Sequence, residues 1–547
     1  MPKLRYQPPE RIIGATDCSQ HPLLRGSLNV VRLVKKESWV WDGLRKACEL
    51  EVKYARKRDP GCWELVAVAF VVSGYVDVRP WYDETTDELW KECEFDRRPA
   101  RQTVDRRLRE LGEKAGDEFL SAAALVIQRC RAHDERVMAH VHVDCTEDET
   151  HAALVHDCQP GEECGRAAAA GAAAAGGSAH GPALRPPRAT TGEARERREK
   201  WNEEDPADSE SSAKAVTPKT MTVLRDGRRI KRVRLGKDGC WYRTRDVEAG
   251  VRAYTGGGRV RRFWHGYYNA KAIDGLTGGV VPLVESASTQ EYDLFPALME
   301  RVCRMADKTP ETVIGDKGFS VEKCFEYATR NGIAPVFPRR RYGDGRRHDK
   351  ESHDRDGVMR CKHCGGTMSQ IKYSKNHGKP RLWFRCASGA TPDCARDQTI
   401  TCATDWRSLV PLARTEPLFH ELLKSHRTYE AVHDYWRDRY RVGADNLANR
   451  PKAIGIGGHR LRASVACFVD WLRIASINNW LAEPPENPVK GPRGERAFME
   501  RAVEAAKAFV DRRARVGLCH PYGPRAKSLG IGKETPPSER AASPPGS

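Results

Sequence analysis

Apolar positions recur with helical spacing through residues 60–132, interrupted by polar turns such as SGYVDVRP, and the stretch is predicted to be helical. Within it, TVDRRLREL sets Val104, Leu108 and Leu111 at i, i+4 and i+7, and GDEFLSAAALVIQRC follows after a short polar break. Arg106, Arg107 and Arg109 then fall on the exposed face. The pattern suits a helix-turn-helix for DNA, and it equally suits any small helical bundle. Between Arg136 and Cys145 the period changes to two. Ala139, Val141 and Val143 face one way and His140, His142 and Asp144 the other, which predicts a half-buried strand ending in a carboxylate.

Periodicity is lost from about Gly161 to Pro218, where GRAAAAGAAAAGGSAHGP gives way to a charged, proline-containing tract. Few large apolar side chains remain, so a flexible insertion is expected. Gly171, Gly176 and Gly177 interrupt the alanine run that would otherwise favour a helix. The pattern resumes with FWHGYYNAKAIDGLTGGVVPLVES, in which two β-rich runs flank DGLTGG and predict a hairpin. Ser288 and Glu291 have capping-box spacing, and Leu294, Leu298, Val302 and Met305 mark one face of the helix that follows. The strand TVIGD leads to a second helix with Val321, Cys324, Phe325 and Ala328 on its apolar face, stopped at Asn331 and Gly332. GIAPVFP is one more short strand, and the tail from about His520, rich in Pro, Ser and Gly, is expected to be disordered. The order is strand, insertion, hairpin, helix, strand, helix, strand. It predicts an α/β fold, a mixed sheet with helices packed on it.

At 547 residues the chain exceeds one compact core, and three or four modules are expected. Lys and Arg number 93 against 75 acidic residues, a net charge of +18, which favours a polyanionic partner, nucleic acid ahead of an anionic membrane surface. Two basic runs, RDGRRIKRVRLGK (Arg225–Lys237) and RRRYGDGRR (Arg339–Arg347), can each neutralise several phosphates, the plain alternative being solvated loops. The second follows GIAPVFP and interleaves tyrosine and glycine, so Arg339, Arg340 and Arg341 are the expected DNA contacts. The longest apolar run, LVAVAFVV, is too short to span a bilayer, and MPKLRYQPPE lacks the apolar core of a secretory signal. No membrane association is expected, and a soluble cytoplasmic protein, on the nucleoid when bound to DNA, is the resulting expectation.

The 18 cysteines are scattered from Cys18 to Cys519 and read mostly as reduced thiols. One group has metal-ligand spacing. RCKHCGGTM sets Cys361 and Cys364 in a C-x-x-C, and Cys386 and Cys394 complete a four-cysteine set for structural Zn²⁺, with Cys402 an alternative to Cys394.

Asp316 follows an apolar β-run, where the carboxyl end of a strand in an α/β sheet faces the usual ligand crevice. For a lone Asp-x-Gly, a turn aspartate capping the next helix is the simpler reading. Asp144 changes that, because two neighbouring strands could bring both carboxylates together to share divalent metal. Asp274 opens the DGLTGG turn, and a turn role accounts for it. His140 and His142 share the face of Asp144 but lack a matching third histidine, and they read as neighbours of the site, not as ligands.

In order along the chain, HVHVDCTEDETHAALVH, then YRTRDVEAGVRAY with FWHGYYNAKAIDGLTGG, then VIGDKGFS resemble a bacterial insertion-sequence transposase of the DDE type. The resemblance implies a ribonuclease-H-like catalytic domain with catalytic aspartates at Asp144 and Asp316. Such families carry the third acid on a late helix, in the pattern arginine, three residues, glutamate, six residues, lysine. RVGADNLANRPK fits as Arg441, Asp445 and Lys452, with aspartate for glutamate and with Asp438 where a tyrosine is usual. Glu430, in SHRTYEAVHDYW, is the alternative; it has the usual chemistry without the spacing.

The implied chemistry uses Mg²⁺ or Mn²⁺ held by Asp144, Asp316 and Asp445 to free a 3′-hydroxyl at the element's end, which then attacks target DNA. Arg441 and Lys452 would contact phosphate. The implied partners are double-stranded DNA with terminal inverted repeats, target DNA and further copies of the chain. The expected layout is a helical, DNA-binding region at 1–132, the first catalytic strand at 133–160 and the insertion at 161–218. Then follow the continued core at 219–350, a zinc ribbon at 351–404, the helical end of the catalytic domain at 405–519 and the tail at 520–547. A DNA-binding protein that has lost cleavage, and a ribonuclease-H-like nuclease without strand transfer, are the competing readings.

Overall fold

The structure is a computed structural model. It describes residues 26–47, 62–149 except 115, 154–156, 219–338 and 360–401 with short breaks, 417–443 and 455–490. The expected insertion at 161–218, the tail at 520–547, Cys402, Asp445, Lys452 and the run Arg339–Arg347 lie outside the described residues. The chain divides into two compact units, one made of residues 1–151 and 266–547, the other of residues 152–265.

Among the described residues the larger unit opens with seven helices: α1 (Ser27–Lys36), α2 (Ser38–Ala47), α3 (Trp63–Ser73), α4 (Val78–Glu84), α5 (Asp87–Glu92), α6 (Arg101–Lys114) and α7 (Gly116–His133). The apolar run of α3 is buried from Leu65 to Val72, so this helix is embedded and not amphipathic. On α6 the predicted face is the buried one, with Val104, Leu108 and Leu111 all in the core. The arginines opposite form ion pairs along their own helix, Arg107 with Glu110 at 2.8 Å and Arg109 with Asp105. No helix among the described residues is long and apolar enough to cross a membrane.

After α7 the chain enters β1 (His140–Glu149). Downstream come β7 (Arg259–Asp274) and β8 (Val280–Ser286), helix α8 (Glu291–Ala306), β9 (Thr312–Gly315), helix α9 (Glu322–Arg330) and β10 (Ala334–Val336). The five strands form a mixed sheet in the order β10-β9-β1-β7, with β8 paired to β7. β1, β9 and β10 are parallel, and the β7–β8 hairpin runs antiparallel to β1. The expected hairpin, helix, strand, helix and strand thus follow β1 in that order. On one face, Phe295 of α8 and Phe325 of α9 surround Phe319 and Phe337 in a set of tilted and edge-on ring contacts. On the other, Ile314, Ala334 and Val336 pack against Leu418, Phe419 and Leu422 of α10 (Pro417–Ser425).

Three local expectations are corrected. The capping box does not form: Gln290 is the residue before α8, no side chain caps it, and the Ser288 hydroxyl instead meets that of Ser286 at 3.0 Å. β1 does not end at Asp144 but runs five residues further, because β7 continues to pair with it out to Glu149↔Gly266. Nor is β1 half-buried at its start. Val141, His142 and Val143 are all buried, since helices cover both faces of the sheet.

Asp274 behaves as a turn residue. Its Oδ1 accepts from Met138 N–H at 2.7 Å and its Oδ2 from both the N–H and the hydroxyl of Thr277, at 3.0 and 2.7 Å. This joins the hairpin turn to the approach of β1.

Helices α11 (Glu430–Tyr440) and α12 (Ile456–Ile477) close the unit. α12 packs on β8, α7, α6 and α3. Its Trp471 lies against Gly279, where a Cβ would come within 2.5 Å of the ring, and donates to Val280 O at 3.2 Å. A buried polar cluster ties α11 to α12: Trp436 Nε1 donates to Asp470 Oδ2 at 2.7 Å, the Tyr440 hydroxyl donates to Asp470 Oδ1, and Arg473 donates to both Tyr435 and Tyr440.

The cysteine-bearing segment is a separate three-stranded antiparallel sheet, β11 (Met368–Asn376), β12 (Lys379–Cys386) and β13 (Gln398–Thr401). In the second unit, β2 (Leu154–His156), β3 (Lys219–Arg225), β4 (Arg228–Arg234) and β5 (Trp241–Thr244) form an antiparallel sheet in the order β2-β5-β4-β3. The first basic run thus contributes to a hairpin, pairing Arg225 with Arg228, and Arg232 is buried with its guanidinium over the Trp241 ring. A further strand, β6 (Gly250–Gly256), precedes β7.

Burial raises the Asp470 carboxyl to about 6, against the opposing pull of Arg473 and the donors around it. A carboxyl held above its unfolded value near 4 binds its proton more tightly in the folded chain. Its contribution to stability is therefore full below about pH 4 and is lost as pH rises through about 6. Denaturant unfolding of wild type and Asp470→Asn across pH 4–8 is expected to show wild type losing stability relative to the variant between pH 4 and 6, then holding a constant difference.

Candidate active site

The parallel pairing of β1 with β9 runs His140↔Thr312, Val141↔Val313, His142↔Ile314, Val143↔Gly315. The next residues in that register are Asp144 and Asp316. At Gly315 a Cβ would come within 2.9 Å of Val143 Cγ2, so the glycine lets the two strands and Phe319 close up just before the carboxylates. Asp316 also does the turn work expected of an Asp-x-Gly: its Oδ1 accepts from Gly318 N–H at 2.7 Å and starts the short 3-10 turn Lys317–Phe319. The turn role expected of a lone Asp-x-Gly is therefore present at Asp316, beside Asp144.

The two aspartates differ electrostatically. At Asp144, burial pushes the carboxyl up, but the hydrogen bond and charge of His433 and the N–H of Cys145 outweigh it and leave the group below its ordinary value. At Asp316, partial desolvation raises the carboxyl, the Gly318 N–H pulls it down, and the neighbouring Asp144 charge raises it again. Asp144 is thus the readily ionised member, and its charge opposes ionisation of the other.

Several groups that the sequence did not single out surround the pair. His433, on the buried face of α11 with Val432, Trp436 and Tyr440, brings Nε2 to 3.0 Å from Asp144 Oδ2. Lys271, paired with Asp144 across β1–β7, is fully buried and lies 3.2 Å from His433 Nδ1. Burial lowers its ammonium to about 8, with the Asp144 and Asp148 carboxylates resisting. His426 stacks on His142 with ring centroids 5.6 Å apart and feels the charges of Asp144, Asp316 and Glu430. Glu291, the first residue of α8, is also adjacent: a Cβ on Gly318 would meet Glu291 Oε2 at 2.8 Å and Asp316 Oδ1 at 2.9 Å. A lysine inside the apolar run NAKAI was the one visible signal. His433 and His426 carry no local signal, since only the fold brings α11 and the turn His426–Tyr429 before it over β1.

The remaining expected residues fall as follows. His140 Nδ1 bonds the Thr312 hydroxyl at 2.8 Å, and the His142 ring contacts those of His426 and Tyr429. Arg441 ends α11 and donates from Nε to Gly74 O at 3.1 Å. Gly443, the last described residue before Asp445, lies on β1, where a Cβ would be 2.9 Å from Thr146 Oγ1. Glu430 opens α11 and is exposed.

The four cysteines Cys361, Cys364, Cys386 and Cys394 converge with their Sγ atoms all within 4.8 Å of one another. The Cys361–Cys394 and Cys364–Cys386 separations, 3.8 and 3.5 Å, approach the roughly 3.8 Å edge of a tetrahedron with ~2.3 Å metal–sulfur bonds. The Ser388 hydroxyl lies 3.1 and 3.0 Å from Cys364 and Cys386, and its hydrogen bond is the main cause that lowers Cys386 to about 6. The set fits a zinc ribbon.

Residues 218–453 match the family model of the transposase DDE domain. The match over that stretch is consistent with a DDE-type transposase. No curated protein matches the chain. The matched stretch begins after β1, so it includes Asp316 and the cysteines but not Asp144, which the β1–β9 register sets beside Asp316.

The register is open to a direct check. Neighbouring positions on paired strands fall within the roughly 4.4–6.8 Å Cα separation that a disulfide needs. The double variant Asp144→Cys, Asp316→Cys is expected to give a 144–316 cross-link under mild oxidation, read by peptide mass mapping; recovery of both peptides uncoupled contradicts the pairing.

Proposed function

We propose that the chain is a DDE transposase that cleaves DNA at the ends of a mobile element and joins them to a target. The observation that carries this reading is the adjacency of Asp144 and Asp316 on one face of a mixed sheet, inside a chain with a transposase DDE domain. The strand order β8-β7-β1-β9-β10, with the antiparallel hairpin on one side of β1 and two parallel strands on the other, supports a ribonuclease-H-like core.

Carboxylate oxygens suit Mg²⁺ or Mn²⁺, and the residues to hold such ions are Asp144, Asp316 and, as the third acid, Asp445. Bound there, the ions would supply charge stabilisation for phosphodiester cleavage. The protein's own work is to hold the two aspartates in register, to keep Asp144 ionised through His433, and to close both sheet faces so that the carboxylates stay fixed while DNA binds. The spacing of Arg441 and Lys452 around Asp445 favours it over Glu430 as the third acid. A net charge of +18 suits a polyanionic substrate. Arg339, Arg340, Arg341, Arg441 and Lys452 are assigned to phosphate contact, the N-terminal helices to DNA binding, and pairing of the two element ends to a homo-oligomer acting in the cytoplasm.

Purified protein with Mg²⁺ or Mn²⁺ is expected to cut DNA bearing the matched end sequence and give strand-transfer products on a gel. Asp144→Ala, Asp316→Ala and Asp445→Ala should each lower the rate by at least about a hundredfold while binding the same DNA, with Glu430→Gln close to wild type. Cleavage without joined products would make the chain a nuclease, and DNA binding without cleavage a non-catalytic binder.

The cysteine cluster is proposed to hold structural Zn²⁺. Elemental analysis is expected to find about one zinc per chain, lost in Cys361→Ser and Cys386→Ser.

A further inference from the structure

Lys271 is an anomaly for a strand centre. It lies between Ala270 and Ala272, has no solvent exposure, and carries an ammonium whose burial is costly. Its surroundings define a one-way chain of hydrogen bonds. An ammonium has donors and no acceptor, so at 3.2 Å His433 Nδ1 must accept from Lys271 Nζ. A neutral imidazole that accepts at Nδ1 carries its proton on Nε2. That nitrogen lies 3.0 Å from Asp144 Oδ2 and therefore donates to it. Asp144 Oδ1 accepts from Cys145 N–H at 2.7 Å. Among the described residues each oxygen of Asp144 thus has one donor, which leaves two of its four lone-pair sites.

We propose that His433 is a positioning residue for Asp144, fixed in its Nε2–H tautomer by the buried Lys271, so that the carboxylate is pre-oriented for divalent metal. The proposal rests on Asp144 being a metal-binding carboxylate. The Trp436 ring, 5.6 Å from Lys271 Nζ, holds the ammonium in place, and α11 is anchored in turn through the Asp470 cluster. Without a fixed donor on Oδ2, the carboxylate must be ordered at the moment of metal binding, and such supporting partners are commonly worth about 10–100-fold in metal affinity.

The test uses the full chain without DNA. Mn²⁺ binding is read by electron paramagnetic resonance, folding by thermal melting, and the tautomer by long-range ¹⁵N spectra of histidine-labelled protein. His433→Leu, which keeps side-chain bulk without a donor, is expected to weaken Mn²⁺ binding by about tenfold or more. His433→Gln, whose amide can still donate, should recover most of that loss. In Lys271→Met the His433 signal should leave the pure Nε2–H pattern.

Wild-type affinity in folded His433→Leu, or a wild-type His433 protonated on Nδ1, overturns the proposal. Asp144→Ala separates the two levels. If it binds Mn²⁺ like wild type, Asp144 is not a ligand and the functional reading falls; if it loses Mn²⁺ while His433→Leu does not, only the positioning role falls.

Discussion

Everything at the candidate site depends on one stretch of parallel strand pairing, four residues of β1 against four of β9. Parallel ladders specify register poorly on their own, so the fixing must come from the sides. Gly315 does part of it, because only a residue without a Cβ lets Val143, Phe319 and Phe337 meet there. Burial of both strand faces does the rest: a slip by one residue would exchange Ile314 with its neighbours between the aromatic cluster above and the α10 contact below. The carboxylates sit where the ladder ends, and the strand that carries Asp144 continues past β9 against β7. Asp144 is therefore held by a full strand while Asp316 turns away into its cap.

The polar interior extends that logic. β1 offers Asp144, Thr146 and Asp148 on one face, and each meets a specific group: His433, the approaching backbone at Gly443, and His459 at 2.9 Å. A carboxylate in a protein interior is tolerated when donors meet it, and here two helices from the C-terminal third supply one donor each to Asp144 and Asp148, while Asp148 Oδ1 has no partner among the described residues. α11 is itself registered by the tyrosines and tryptophan on Asp470, so the geometry around Asp144 is set in part by contacts made within about two turns along α11.

Much of this was legible in the sequence, and the reasons are local. The hairpin around DGLTGG, the face of α8 and the stop after α9 each follow from periodicity and turn chemistry that act over a few residues. Asp316 was legible for the same reason, standing between an apolar strand and a glycine. The true length of β1 was not, since its last five residues are strand only because β7 pairs with them. The missing capping box shows the reverse error, a valid spacing that the helix begins too late to use. Lys271, His433 and His426 could not be assembled from the chain order, because their meaning comes from strand and helix packing across intervals of more than a hundred residues.

The residues of the β1–β9 pair stand 172 apart, with the second compact unit encoded between them. At roughly 5–20 residues per second, synthesis leaves the first aspartate without its partner for about ten to thirty seconds. During that interval β1 lacks a neighbour on its β9 side, an unpaired edge inside a nascent chain. A chain organised this way cannot assemble its two carboxylates from an early fragment. Truncated products of translation therefore lack the pair, which forms only after more than half of the polypeptide has been made.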